Sequence, residues 1–173
     1  MRYWKKTSRI QDGVEIPGMF AYAFIHNGWY FVSEIKVYQD GMIDCWDMVD
    51  FEGFKQKIMQ GWVVTTLPNN APVSVSHLVR FTATEVQTFL KEEEFIKEVG
   101  DVIEELNRRP TSMDKCREAF QRFQEEHSEE ARRQVQETYE AVPEHLRWFL
   151  LDEMDPDIID VQSAYNVLKK KGS

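Results

Sequence analysis

Long apolar runs are missing from this 173-residue chain. No stretch approaches the roughly 20 apolar residues that a helix needs to cross a bilayer. The basic residues near the N-terminus are not followed by an apolar segment, so no signal peptide is expected. Cysteine is scarce. Cys45 and Cys116 stand far apart and fit no metal-ligand spacing, which reads as two reduced, buried thiols in a cytoplasmic protein. The four histidines, His26, His77, His127 and His145, include no pair one helical turn apart and no HExxH. Glycine-rich phosphate loops of the GxxxxGKS/T or GxGxxG type are absent, as is a GxSxG nucleophile turn. Neither a cofactor nor a metal ion is expected, and no motif declares a catalytic activity.

Aromatic side chains and acids are what the chain does hold. Hydrophobic residues make up 42% and aromatic residues 13%, enough to fill a core. The net charge is −9. Residues 1–81 contain 8 Lys/Arg against 8 Asp/Glu, whereas residues 82–173 contain 13 against 22. This balance opposes direct binding to a phosphate backbone, which depends on Lys and Arg displacing counterions. It suits a partner with a basic surface, or solubility alone.

The charge step coincides with a change in pattern. Residues 1–81 read as a β-rich half and residues 82–173 as an acidic helical half, with no Gly/Ser/Pro-rich spacer between them. "MFAYAFIH" (19–26) and "WYFVSEIKVY" (29–38) are strands joined by Asn27-Gly28, a strong hairpin signal. Trp29, Phe31, Ser33, Ile35 and Val37 share one face of the second strand. "WVVTTL" (62–67) and "VSVSHLV" (73–79) follow as strands around the turn "PNNAP" (68–72). Thr82-x-x-Glu85 has the form of a capping box, predicting a helix to about Asn107 that "KEEE" (91–94) divides. Ser112, Ser128, Pro143 and Asp155-Pro156 mark the starts of further helices. The fold class is therefore α+β. A small antiparallel sheet or partial barrel, of about five strands and one short helix, packs against four to five helices.

The stretch "DGMIDCWDMVDFE" (40–52) is the densest concentration of acids beside an aromatic. A two-residue turn at Asp40-Gly41 would set Glu34 opposite Asp47, like charge against like. A three-residue loop with Gly41 left-handed instead pairs Val37 with Ile43, Lys36 with Asp44 and Ile35 with Cys45. That register is consistent on both faces and places Trp46 on the polar face beside Glu34, Lys36 and Asp44. Asp47 or Asp50 then caps a helix over about 50–60 that buries Phe51, Phe54 and Ile58 and stops at Gly61. The acids fall on a turn, a strand and a helix cap, lacking the spacing of a calcium loop.

The reading that follows is a non-catalytic protein-binding protein. An acidic inhibitor of the immunity type would fit, as would an accessory subunit of a larger bacterial complex. Trp46 is the expected anchor, with Asp44, Asp47, Asp50 and Glu52 steering a basic partner. Two alternatives are carried forward. One is an enzyme whose site assembles His26, His77 and neighbouring acids on the β half. The other is a nucleic-acid-associated module using the basic, aromatic arm "RYWKK" with Arg9 (2–9), whose simpler role is to pack Trp4 on the sheet.

Overall fold

The computed structural model describes residues 4–151. It is an α+β protein: an antiparallel-rich sheet with helices mostly in the C-terminal half. The chain forms two compact units, residues 1–109 and residues 110–173.

The first unit is built on one long hairpin. β2 (Val14–Asn27) and β3 (Trp29–Tyr38) pair along their whole length, from Asn27↔Trp29 to Gly18↔Tyr38. The tip takes its positive φ on Gly28 (73°), while Asn27 stays in the strand. β1 (Lys5–Gln11) lies along the first part of β2, so the arm at 2–9 is largely strand. At Gly18 a Cβ would stand 2.7 Å from the Tyr38 ring and from the Val37 carbonyl, so the tyrosine can lie over the strand only where a side chain is missing.

β4 (Ile43–Asp44) joins the outer edge of β3 with Lys36↔Asp44 and Val37↔Ile43. The loop between them carries Gly41 at φ 81°, and Tyr38 N–H donates to the Met42 carbonyl. This is the three-residue register that charge and face consistency select. β5 (Met48–Val49) folds back on β4, and α1 (Phe51–Met59) follows, burying Phe54 and Ile58 and ending before Gly61 at φ 70°. β6 (Val63–Val64) pairs with β2; only these two residues of 62–67 are strand.

Residues 73–79 are two strands rather than one. β7 (Ala71–Val75) runs parallel to β3, reverses over Ser76, His77 and Leu78, and pairs with β8 (Val79–Ala83). The alternating pattern continues unbroken through the reversal, which uses Ser76 at φ 51° without glycine, asparagine or proline. Thr82 therefore belongs to a strand and caps no helix, and Glu85 adopts φ 54°. α2 (Glu92–Leu106), with Lys91 at its N-cap, begins nine residues later than Thr82 suggests. The KEEE segment opens this helix instead of dividing one. Its three glutamates occupy the first turn, where negative charge opposes the positive end of the helix dipole. Val86 and Phe89, which fit helical spacing, are 37% and 90% exposed.

Alternation decides which sheet face is covered. Ala21, Ala23, Ile25, Ile35 and Val37 point one way and pack with Phe54 and Ile58 of α1 and Phe95, Val99 and Val102 of α2. Trp4 joins this core, stacked on Phe95 at 5.9 Å with its indole N–H donating to the buried Glu98 carboxylate at 3.0 Å. A smaller cluster of Ala71, Val73 and Ala83 forms with Phe24, Tyr30 and Val32.

The second unit is helical. α3 (Ser112–Glu126) is capped by Thr111, one residue before the expected Ser112, in a reciprocal capping box with Asp114. α4 (Glu129–Ala141) is capped by Ser128 as its sequence predicts. A 3-10 turn (Glu144–Leu146) follows Pro143, and α5 (Trp148–Leu151) begins after it. Cys116, Ala119, Phe120, Val135, Tyr139 and Leu150 make the core of this unit. The helix expected after Asp155-Pro156 lies outside the described residues.

The compact units meet at Arg109–Pro110, whereas composition changes near Arg80. α2 supplies its apolar face to the core of the sheet-bearing unit, so it belongs with the strands although its charge resembles the helical half.

Candidate functional site

The residues between β4 and β5 form a tight reversal: Asp44 pairs with Met48, leaving Cys45, Trp46 and Asp47 at its tip. Trp46 has φ 76°, a conformation that costs a bulky residue roughly 1–2 kcal/mol. Asp44 stabilises it by accepting the Trp46 backbone N–H at 3.2 Å. The Trp46 ring packs 5.2 Å from Phe31 and edge-on to Trp62 at 6.0 Å, yet remains 48% exposed. Trp62 is fixed in turn. Its indole N–H donates to the Cys45 carbonyl at 3.2 Å, and the Lys57 ammonium lies 4.9 Å from its ring centroid.

Trp46 thus leaves the position expected from strand alternation. It leans toward Phe31, on the same face of β3 as Ile35, instead of standing with Glu34 and Lys36. The reason is local: β4 ends at Asp44, and one left-handed residue redirects the chain. The Asp44-x-Trp46 spacing of a side chain bonding a backbone two residues on was the faint signal for this turn. Nothing in the sequence marks a tryptophan for positive φ.

The acids of this stretch have partners within the chain. Asp47 pairs with Lys57 at 2.6 Å and Glu52 with Lys55 at 2.6 Å. Asp50 caps α1, accepting the Gly53 N–H at 2.7 Å. Asp44 is spent on the Trp46 turn and lies across from Lys36. Of these, Asp44 and the Asp47–Lys57 pair, whose lysine lies over the Trp62 ring, form the platform on which Trp46 is displayed, while Asp50 and Glu52 act on α1.

Cys45 is fully buried beneath that platform. Burial pushes its thiol up to about 11, against the opposing pull of Lys57. Burial likewise raises Cys116. Both are protonated at neutral pH and poor nucleophiles.

His26 lies on the sheet face opposite Ile25, stacked flat on Tyr30 with ring centroids 4.3 Å apart. His77 sits exposed in the turn between β7 and β8. The sheet separates His26 from Cys45, and no hydrogen bond joins His26, His77 and Cys45 among the described residues. Among those residues, no three His, Cys, Asp or Glu side chains come together in an arrangement able to hold a metal ion. No described helix is long and apolar enough to cross a membrane.

Residues 6–110 match a family model described as Domain of unknown function (DUF7638), and the chain belongs to that family. Residues 111–166 match a second model, Domain of unknown function (DUF7639). The two matches meet where the compact units divide. No curated protein and no solved structure matches the chain.

Proposed function

We propose that this DUF7638 family member is a non-catalytic protein-binding protein, an inhibitor or an accessory subunit, that captures a partner through Trp46. The observation that carries this reading is the half-exposed Trp46 ring at φ 76°, held between Phe31 and Trp62. Backbone strain of this kind at an exposed aromatic is a cost that folding alone does not require. A rigid, partly desolvated tryptophan loses little entropy on binding, and such residues dominate interface energetics. The action is occlusion, with Trp46 buried in the partner.

Basic character in the partner is favoured by the net charge of −9. The ion pairs of Asp47 and Glu52 with lysines reduce what those acids contribute to steering. Affinity then depends on Trp46 more than on salt.

The test is capture of a partner by the tagged full chain from its native lysate, compared among variants. Trp46→Ala is expected to weaken capture roughly 30-fold or more, the loss of about 2 kcal/mol typical of a central anchor. Trp148→Ala, which removes another half-exposed tryptophan, leaves capture unchanged. Equal recovery by wild type and Trp46→Ala would overturn the assignment.

A further inference from the structure

Edge strands attract other strands, and proteins usually blunt them. In the first unit β5 and β6 are only two residues long, and β1 carries Lys5, Lys6 and Arg9. β8 has no such protection. It spans five residues, and among the described strands it pairs with β7 alone. Its one charge, Arg80, is stacked over Trp29 at 5.0 Å. Val79 and Phe81 are 51% and 47% exposed.

The direction of the free backbone groups follows from one hydrogen bond. Asn70 N–H donates to the Ala83 carbonyl at 2.8 Å, so Ala83 turns its carbonyl toward the β7 side. Strand alternation then turns the groups of Phe81 and Val79 inward as well. Arg80 and Thr82 direct their N–H and C=O groups away from β7. The residue opposite Thr82 is Pro72, which has no N–H to offer.

We propose that β8 joins two copies of this chain edge to edge, antiparallel, with the two-fold axis at Phe81. In this register Arg80 of each copy pairs with Thr82 of the other. All the outward N–H and C=O groups of these residues are then satisfied, forming two reciprocal pairs of hydrogen bonds. Phe81 meets Phe81 of the second copy in a non-hydrogen-bonded pair, where side chains approach most closely. Val79 faces Ala83 across the join. An axis at Arg80 would set the two guanidinium groups opposite each other, and an axis at Thr82 would place Arg80 beyond the partner strand. The self-complementary register makes a second copy the occupant, since a two-fold contact uses one surface twice.

Sedimentation velocity of the full chain over a wide concentration range provides the test. Wild type is expected to show a species of twice the 20.5 kDa chain mass. Thr82→Pro removes an outward N–H and leaves the β7 pairing intact, so it is expected to be monomeric with an unchanged far-ultraviolet circular dichroism spectrum. Phe81→Cys is expected to form a covalent dimer under mild oxidation, because both native thiols are buried. Thr82→Cys, whose side chain points to the other face, is expected to form none. A wild type that stays monomeric, including one that instead accepts a strand from a different protein, overturns the proposal. So does a dimer that survives Thr82→Pro with its fold intact, or a dimeric Phe81→Cys protein that does not cross-link.

Discussion

Asp50 closes the first turn of α1 twice over. Its carboxylate accepts the Gly53 N–H and its carbonyl accepts the Phe54 N–H. Asp50→Ala removes the first of these and is expected to cost about 1 kcal/mol, read as a lower urea midpoint. Trp46 lies outside the helix, so partner capture by the refolded variant should equal wild type. Loss of capture at full folding would assign Asp50 to the contact surface. A cap near this position was legible from the acids before an apolar helical run, but the choice between Asp47 and Asp50 was not, and the structure assigns it to Asp50. Asp47 was not legible as the partner of Lys57, because Lys57 lies ten positions further on, inside α1.

At the scale of elements, the start of α2 is tied to the segment after β6 by one carboxylate. Glu92 accepts the backbone N–H groups of Thr65 and Thr66, each at 2.9 Å, and the Thr66 hydroxyl at 2.6 Å. Burial acts to raise the Glu92 pKa, but these hydrogen bonds outweigh it and hold the group below its ordinary 4.5. A depressed folded pKa means stability that is fully present above the unfolded value. That stability is lost as pH falls through the lower folded value. Glu92→Gln should therefore unfold at lower denaturant than wild type at neutral pH, with the difference shrinking through the acid range. A gap independent of pH would show that the carboxylate charge does not carry the contact. The sequence assigned Glu92 to a break between helices. Its actual task depends on threonines 26 and 27 residues away, which helical periodicity cannot reveal.

Across the whole molecule, hydrophobic burial is divided between separate cores. One gathers the faces of β2, β3, α1 and α2, and another those of α3, α4 and the turn beyond them. Residues 1–109 produced alone are expected to fold cooperatively. They should retain the near-ultraviolet signal of Trp4, Trp29, Trp46 and Trp62. A fragment with secondary structure but no such signal would mean that its core needs the remaining chain. Charge divides differently at this boundary. Residues 1–109 hold 12 Lys/Arg and 16 Asp/Glu, and residues 110–173 hold 9 and 14, so both units are acidic. The step near Arg80 is a change from strand to helix composition inside one unit.

Sequence alone determined the elements whose signals are local. Gly41 and the opposed charges of Lys36 and Asp44 set the register of β3 with β4. Ser128 placed one helix start, Asp47 and Asp50 bracketed another, and alternation in β3 named its buried face. Tertiary structure decided the rest. Thr82 has the residues of a capping box, yet its segment pairs with β7, because strand hydrogen bonds and the burial of Ala83 outweigh a local cap. Trp46 has the spacing of a strand residue, yet its direction is set by a turn whose ring partners, Phe31 and Trp62, lie 15 and 16 residues away in sequence. Short-range preferences are worth tenths of a kcal/mol to about one per residue. Where they conflict with long-range packing and pairing, the long-range terms are the larger sum.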